Sequence, residues 1–160
     1  RQEGLQETLD IWSKKIFTKN KNIKLYIYGV KKNSFKNKLI YYRKKNIFFF
    51  DRVSKYKLKN IYNKSLAMIC LGYDETFCLN ALEANACGLP IITFGKTALK
   101  NFTVNNKNGF LVNNYQDLEN KILNLSVSKV NKNIINYCYN NSKNFYLHKI
   151  ISKWLKIIKL

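Results

Sequence analysis

The chain has 160 residues, the size of one domain built on a single hydrophobic core. With 46% apolar residues, 14% aromatic and no apolar run near the roughly 20 residues that cross a bilayer, composition argues against both disorder and a membrane span. The 29 basic against 9 acidic residues leave a net charge of +20, which raises nucleic acid as a partner without establishing it.

The opening RQEGLQETLDIW has no apolar h-region, so no secretory signal is read there, and the missing initiator Met suggests a piece of something longer. Leu5, Leu9, Ile11, Trp12 and Ile16 recur at helical spacing and predict a helix over 5–17. IKLYIYGV is a β-rich run closed by Gly29. A helix around 35–43 leads into the apolar NIFFFD, and YKLKNIYNKS is helical again. LAMICLG reads as a buried strand, 79–87 as a helix stopped by Gly88, and LPIITF as a strand that tolerates Pro90 at its start. A short helix over 97–102, the strand GFLV and a helix over 116–125 follow.

Short apolar strands alternating with amphipathic helices predict a doubly wound α/β domain whose parallel sheet is covered on both faces. Ligands of such folds sit beyond the carboxyl ends of the strands. The turns after Gly29, Phe50, Gly72 and Phe94 are therefore the places to look for chemistry.

Charge and cysteine content narrow the alternatives. Lysine far outnumbers arginine and is spread over nearly every polar segment, while asparagine and isoleucine are abundant, the mark of a codon bias toward A and T. A nucleic-acid footprint would be a concentrated stripe, so no nucleic-acid partner is expected; the charge still favours anionic ligands or anionic lipid. Cys70, Cys78, Cys87 and Cys138 have no C-x-x-C spacing, and the lone His148 completes no usual zinc set. Buried thiols at Cys70 and Cys87 in a reducing cytoplasm are the expectation.

The informative segment is GYDETFCLNALEANACGLPIITF, residues 72–94. If its helix begins at Cys78 or Leu79, Glu75 lies in the preceding loop and Glu83 about one turn inside. The N–H groups and positive dipole end between them suit a phosphate, with a carboxylate on each side for hydroxyls. An arbitrary pair of glutamates at this spacing is more often a solvated helix residue and a first-turn acid; the surrounding residues decide the matter.

Glu75, Phe77, Leu79, Glu83, Ala84, Ala86, Gly88, Pro90, Ile91 and Ile92 resemble the donor-binding motif of glycosyltransferase family four, E-(small)-F-(small)-L/I-x3-E-A-x-A-x-G-x-P-(V/I)-(I/V). KLYIYG, NIFFFDRVSKYKLKNIYNKS and NKNGFLV are similar to flanking segments of that family, and Arg1 with Gly4–Leu5 is similar to its R…K-G-L opening. The resemblance spans nearly the whole chain. It implies a Rossmann-like domain, the C-terminal half of a GT-B fold, over residues 1–145 with its first strand missing, and a C-terminal helix over 146–160. It also implies no cofactor and no metal, with a nucleoside diphosphate sugar (a UDP- or GDP-sugar) as donor, retaining transfer, and an acceptor glycan or lipid-linked saccharide held by a separate N-terminal domain. Glu83 would hold the ribose and Glu75 the transferred sugar, as the catalytic contact. Main-chain N–H groups of Phe77, Cys78 and Leu79 would face the distal phosphate, the base would lie beside Asp51, Arg52 and Val53, and Arg1 would neutralise the diphosphate.

Three departures stand out. Glu3 replaces the lysine usual before that glycine, and Thr76 and Cys78 replace the commoner loop glycines, which restricts how closely the backbone approaches phosphate. Phe48, Phe49 and Phe50 read as core, Tyr26 and Tyr28 as strand residues, Lys96 as solvated or phosphate-directed, and His148 as an ordinary helix residue.

At the C-terminus, Leu147, Ile150, Ile151, Trp154, Leu155 and Ile158 form a helical stripe with Lys149, Lys153, Lys156 and Lys159 outside it. Packing against the domain or its absent partner is preferred over lying on an anionic membrane, though peripheral association at the inner membrane face fits the same helix. The intact protein is expected to be a hexosyltransferase of polysaccharide biosynthesis, and this portion alone inactive. The rivals are a nucleotide-sugar epimerase of similar architecture and a basic non-catalytic module.

Overall fold

The computed structural model describes residues 4–30, 38–72, 78–96, 98–128 and 130–158. Among the described residues, five strands form two parallel groups. β1 (Leu25–Tyr28) pairs with β2 (Ile47–Phe50) in the register Leu25 to Ile47 and Tyr28 to Phe50. β3 (Met68–Ile69), β4 (Ile91–Thr93) and β5 (Gly109–Leu111) form the second group in that order. The helices are α1 (Leu5–Ile11), α2 (Phe17–Lys19), α3 (Leu39–Arg43), α4 (Lys55–Lys64), α5 (Leu79–Ala86), α6 (Ala98–Phe102), α7 (Tyr115–Ser128), α8 (Lys132–Ser142) and α9 (Leu147–Ile158).

Residue alternation shows how the layers form. Successive strand residues point to opposite faces. In β4, Ile92 joins a core containing Leu9, Trp12, Ile16 and Leu118, whereas Ile91 joins a second core containing Ala81, Ala84 and Leu99. Helices thus cover β4 from both sides, and the first core also takes in Ile47 and Phe49 of β2, uniting the two strand groups. This is the doubly wound, Rossmann-like α/β architecture expected from the alternation of elements.

Coverage is less even at β1 and β2. Ile47 and Phe49 are buried, but Phe48 and Phe50 are half-buried and stack on Tyr26 and Tyr28 at centroid separations of 5.5 and 4.8 Å. The three phenylalanines therefore divide between the core and an aromatic ladder on the opposite face, instead of all entering the core. β3 departs from its expectation too. Met68 and Ile69 are half-buried, and only these two residues of LAMICLG form strand, paired with β4.

The first helix is interrupted by a π-helical turn, Trp12–Ile16, between α1 and α2. The turn keeps Trp12 and Ile16 in the core, and the indole N–H of Trp12 donates to the Lys45 carbonyl at 3.1 Å. Such turns are rare insertions within α-helices, which hydrophobic spacing alone does not mark.

α8 also escapes the sequence pattern, because KNIINYCYNNS is rich in weak helix formers. It is capped by Asn131, whose side chain accepts from the Asn133 N–H at 2.8 Å, and it packs against α5. Gly88, with φ +76°, lies at this junction. A Cβ there would meet Ile135 and Tyr139 of α8 at 2.8 and 2.9 Å, so glycine serves both the left-handed turn and the helix contact. α9 contrasts with α8. The apolar stripe of α9 is exposed, uncovered by the described residues of the domain.

One buried charge ties the first helical segment to α7. Glu119 accepts from Lys19 Nζ at 2.6 Å and from the Gln116 amide at 3.1 Å, with Lys15 at 3.7 Å. The hydrogen bond from Lys19 holds its carboxyl below the ordinary glutamate value despite opposing burial. A lowered folded-state pKa means the unfolded chain takes up its proton first as acid is added. The stabilisation is complete above the ordinary value of about 4.3 and is lost as the pH falls below it through the lowered folded value. Urea unfolding from pH 7 to pH 3 should show this acid-side loss, with a shallower slope in Glu119→Gln. Identical slopes would remove Glu119 from the acid transition.

Candidate functional site

Because the strands are parallel, their carboxyl ends within each sheet share one edge, and the loops of interest leave from there. The Gly29 N–H donates to the Phe50 carbonyl at 3.0 Å, aligning the turn after β1 with the loop after β2. In that loop Asp51 and Arg52 are exposed and Val53 is half-buried. In the other sheet, the Cys70 N–H bonds the Ile92 carbonyl and the Val112 N–H bonds the Thr93 carbonyl, each at 2.9 Å. Gly72, Phe94, Gly95 and the exposed Lys96 follow at the same edge.

Gly4, just before α1, lies close to the end of β3; a Cβ on it would be 3.0 Å from Leu71 Cβ. The opening of the chain is thereby brought to the strand that precedes the motif loop. Arg1, Glu3, Glu75, Thr76 and Phe77 lie outside the described residues. The diphosphate cation, the catalytic carboxylate and one phosphate-facing amide expected from the sequence are therefore not placed. Cys78, Leu79, Glu83 and Val53 are placed.

Cys78 is the residue before α5, and its carbonyl accepts from the Ala81 and Leu82 N–H groups at 3.0 and 3.3 Å. Among the described residues, no side chain caps this helix start and no acid occupies its first turn. The first N–H groups of a helix have no partner within it, and they carry the positive end of its dipole. Leu79 and Glu83, four residues apart, are exposed on one face, while Ala81, Ala84 and Asn85 are buried on the other. Glu83 thus stands one turn inside an open helix mouth at the carboxyl edge of the sheet.

Tyr62 of α4 is half-buried beside this face. Burial, and then the Glu83 carboxylate with the thiols of Cys87, Cys78 and Cys70, push its phenol up to about 12. A neutral phenol is a hydrogen-bond donor, here beside the Glu83 carboxylate. A tyrosine six residues before β3 gave no signal of this in the sequence.

What holds α5 in place is a pair of fully buried asparagines. Asn108 Nδ2 donates to Asn85 Oδ1 and to the Phe102 carbonyl, both at 2.9 Å, and Asn108 Oδ1 accepts from the Val104 N–H at 2.7 Å. Asn85 Nδ2 donates to the Leu89 and Asn108 carbonyls at 3.0 and 3.1 Å. Asn85 is the variable residue of E-A-x-A, and Asn108 immediately precedes G-F-L-V. Sequence inspection passes over both, since asparagine is common along this chain.

Gly109 follows directly. A Cβ there would fall 2.7 Å from the Ile91 carbonyl oxygen, so β5 approaches β4 only with glycine at this position. A cavity of about 260 Å³ lined by Tyr62, Cys87, Pro90 and Tyr139 lies at the far end of α5 from Cys78, away from the carboxyl-edge loops.

This geometry is that of a Rossmann-like α/β domain of the kind found in the C-terminal half of GT-B glycosyltransferases. The family described as "Glycosyl transferases group 1" matches residues 2–144, and the chain belongs to that family. Among solved structures, the fold is similar to the pneumococcal O-GlcNAc transferase GtfA in complex with UDP and GlcNAc, with a TM-score of 0.77 and 20% identity. That match covers 97% of this chain and 33% of GtfA, so the chain spans about a third of that protein. The C-terminal domain of LpcC, a group 1 glycosyl transferase from Francisella tularensis, matches at TM-score 0.70 and 23% identity, covering 88% of this chain and 78% of that one. The catalytic domain of cholesterol-alpha-glucosyltransferase from Helicobacter pylori matches at TM-score 0.65 and 19% identity, covering 88% and 90%. No curated protein matches the sequence significantly.

The asparagine pair makes a stability prediction. Asn108→Ala strands the Asn85 oxygen, the Phe102 carbonyl and the Val104 N–H in the interior, and should cost about 2–4 kcal/mol in urea unfolding. A surface-like loss, within about 0.5 kcal/mol, would show that the network holds nothing.

Proposed function

We propose that this chain is the donor-binding portion of a retaining glycosyltransferase that takes a nucleoside diphosphate sugar, a UDP- or GDP-sugar, without a metal ion. The observation that carries the reading is the open start of α5 with Glu83 exposed one turn inside it, in a chain of the group 1 family. The N–H groups of Cys78 and Leu79 are suited to the distal phosphate, joined by Phe77 from the preceding loop. Glu83 accepts the ribose hydroxyls, a charge-assisted bond of the stronger kind. Val53 lies beside the base, Arg1 neutralises the diphosphate as it departs, and Glu75 orients the sugar at its anomeric carbon. The complex of GtfA with UDP and GlcNAc supports this class of donor.

Transfer to an acceptor glycan or lipid-linked saccharide belongs to the intact protein, a hexosyltransferase working at the cytoplasmic side of a membrane. The described chain alone supplies one side of the cleft and is proposed to be inactive by itself.

Two substitutions read out nucleotide and sugar separately. Glu83→Ala should weaken UDP or GDP binding by about 1.5–3 kcal/mol in calorimetry. Glu75→Gln should leave free nucleotide affinity unchanged yet lower kcat/KM in the intact enzyme, because a contact aligned with the reacting sugar strengthens in the transition state. Unaltered affinity in the first variant would remove Glu83 from the ribose. Normal transfer by the second would remove Glu75 from catalysis.

The exposed stripe of α9 fits the preferred packing against another part of the intact protein, and it also fits peripheral membrane association within the same reading. Ile150, Ile151, Trp154 and Leu155 face one way and Lys149, Lys153 and Lys156 the other, the pattern of a helix lying in a lipid interface. The chain should co-sediment with vesicles containing phosphatidylserine, and release by salt and by Trp154→Glu is expected. Retention of lipid binding by Trp154→Glu would assign it to the domain's general charge.

A further inference from the structure

The sulfurs of Cys70 and Cys78 are 3.3 Å apart, although seven residues separate them in the chain. Both backbones are held. The Cys70 N–H is bonded to β4, and the Cys78 carbonyl accepts the first bonds of α5. Between them in the sequence lie Glu75 and Phe77. Cys70 is buried and Cys78 half-buried, so a small oxidant reaches Cys78 first and Cys70 stands behind it as the resolving thiol.

The other two cysteines are differently placed. Cys138 is fully buried with its thiol toward the Asn108 carbonyl at 3.6 Å, and burial pushes it up to about 12. Cys87 sits at the opposite end of α5, its thiol also raised by burial.

We propose that Cys70 and Cys78 form a reversible dithiol–disulfide pair, oxidised by a peroxide, whose closure weakens nucleotide binding at the start of α5. The binding half of this rests on the donor reading above; the covalent half does not. The Cys78 thiolate attacks the peroxide, forming an S–O bond as the O–O bond breaks and hydroxide leaves, to be protonated to water. The Cys70 thiolate then attacks that sulfur, forming S–S as the S–O bond breaks, and a second water departs with the remaining protons. The two thiols lose two electrons and the peroxide gains them.

Bonding draws the sulfurs from 3.3 Å to the roughly 2.0 Å of a disulfide. Cys78 must shift to allow it, and its own N–H and that of Leu79 are donors proposed for phosphate. Hydrogen bonds weaken steeply as their geometry departs from linear. An affinity loss of about tenfold is the expected scale for such coupling between two events. Reciprocally, saturating nucleotide should then raise the pair's reduction potential by about 30 mV.

The test treats the purified chain with hydrogen peroxide, maps the product by mass spectrometry, and titrates UDP and GDP into the reduced and oxidised forms. Expected are the loss of two hydrogens, a peptide joining Cys70 to Cys78, weaker nucleotide binding, and recovery of both mass and affinity with dithiothreitol. Cys70→Ala should bind nucleotide as the reduced chain does and lack both the mass change and the reversible loss. A bond mapping to Cys87, or Cys78 ending with two added oxygens, would overturn the pairing. Equal affinity of the two forms would overturn the effect on binding. If neither form binds UDP or GDP, the donor reading fails, a result told apart because the mapped disulfide still appears.

Discussion

The described structure depends on a buried amide clamp. Asn85 on α5 and Asn108 before β5 exchange hydrogen bonds through their side chains and bind the carbonyls of Phe102 and Leu89 as well. Buried polar groups are stabilising only when satisfied, and each member here satisfies another. The clamp fixes the roll of α5 about its axis. Asn85 faces inward, so Ala81 and Ala84 meet the core while Leu79 and Glu83 point outward. The exposed carboxylate at the helix mouth is a consequence of where the buried amide points. Cys138 of α8 approaches the same carbonyl of Asn108, joining a third helix to the arrangement.

Small residues make this close assembly possible. Gly109 lets β5 approach Ile91, Gly88 lets the end of α5 turn beneath α8, and alanines at 81 and 84 let α5 settle against the second core. The G-x-P and G-F-L-V features of the sequence are thus packing devices behind the site. They set where the helix start lies. Val53, Cys78, Leu79 and Glu83, by contrast, are exposed or half-buried and contribute little to the interior.

The family and much of the element order were legible in the sequence because each depends on local information. Short apolar runs, two of them ending in glycine, produced β1, β2 and β4, and the E-x7-E segment marked the helix that carries Glu83. Other features were not legible. A π-helical turn at Trp12–Ile16 leaves the apolar spacing nearly unchanged, so the pattern reads as one continuous helix. α8 consists of residues with weak helix preference, and its stability comes from α5 and the turn at Gly88. The division of the FFF run between core and aromatic ladder required knowing that helices cover only one side of β2 among the described residues.

The sequence by itself determined the fold class, the family, and the position of Glu83 one turn into a helix following a parallel strand. Periodicity and short-range motif spacing carry that information. Tertiary structure alone decided which asparagines are buried partners, that Tyr62 stands beside Glu83, and that Cys70 and Cys78 bring their sulfurs together. These depend on contacts between segments distant in the chain, or on the direction in which a loop returns. Spacing along the chain encodes neither, because the same spacing is compatible with many three-dimensional paths until the core is packed.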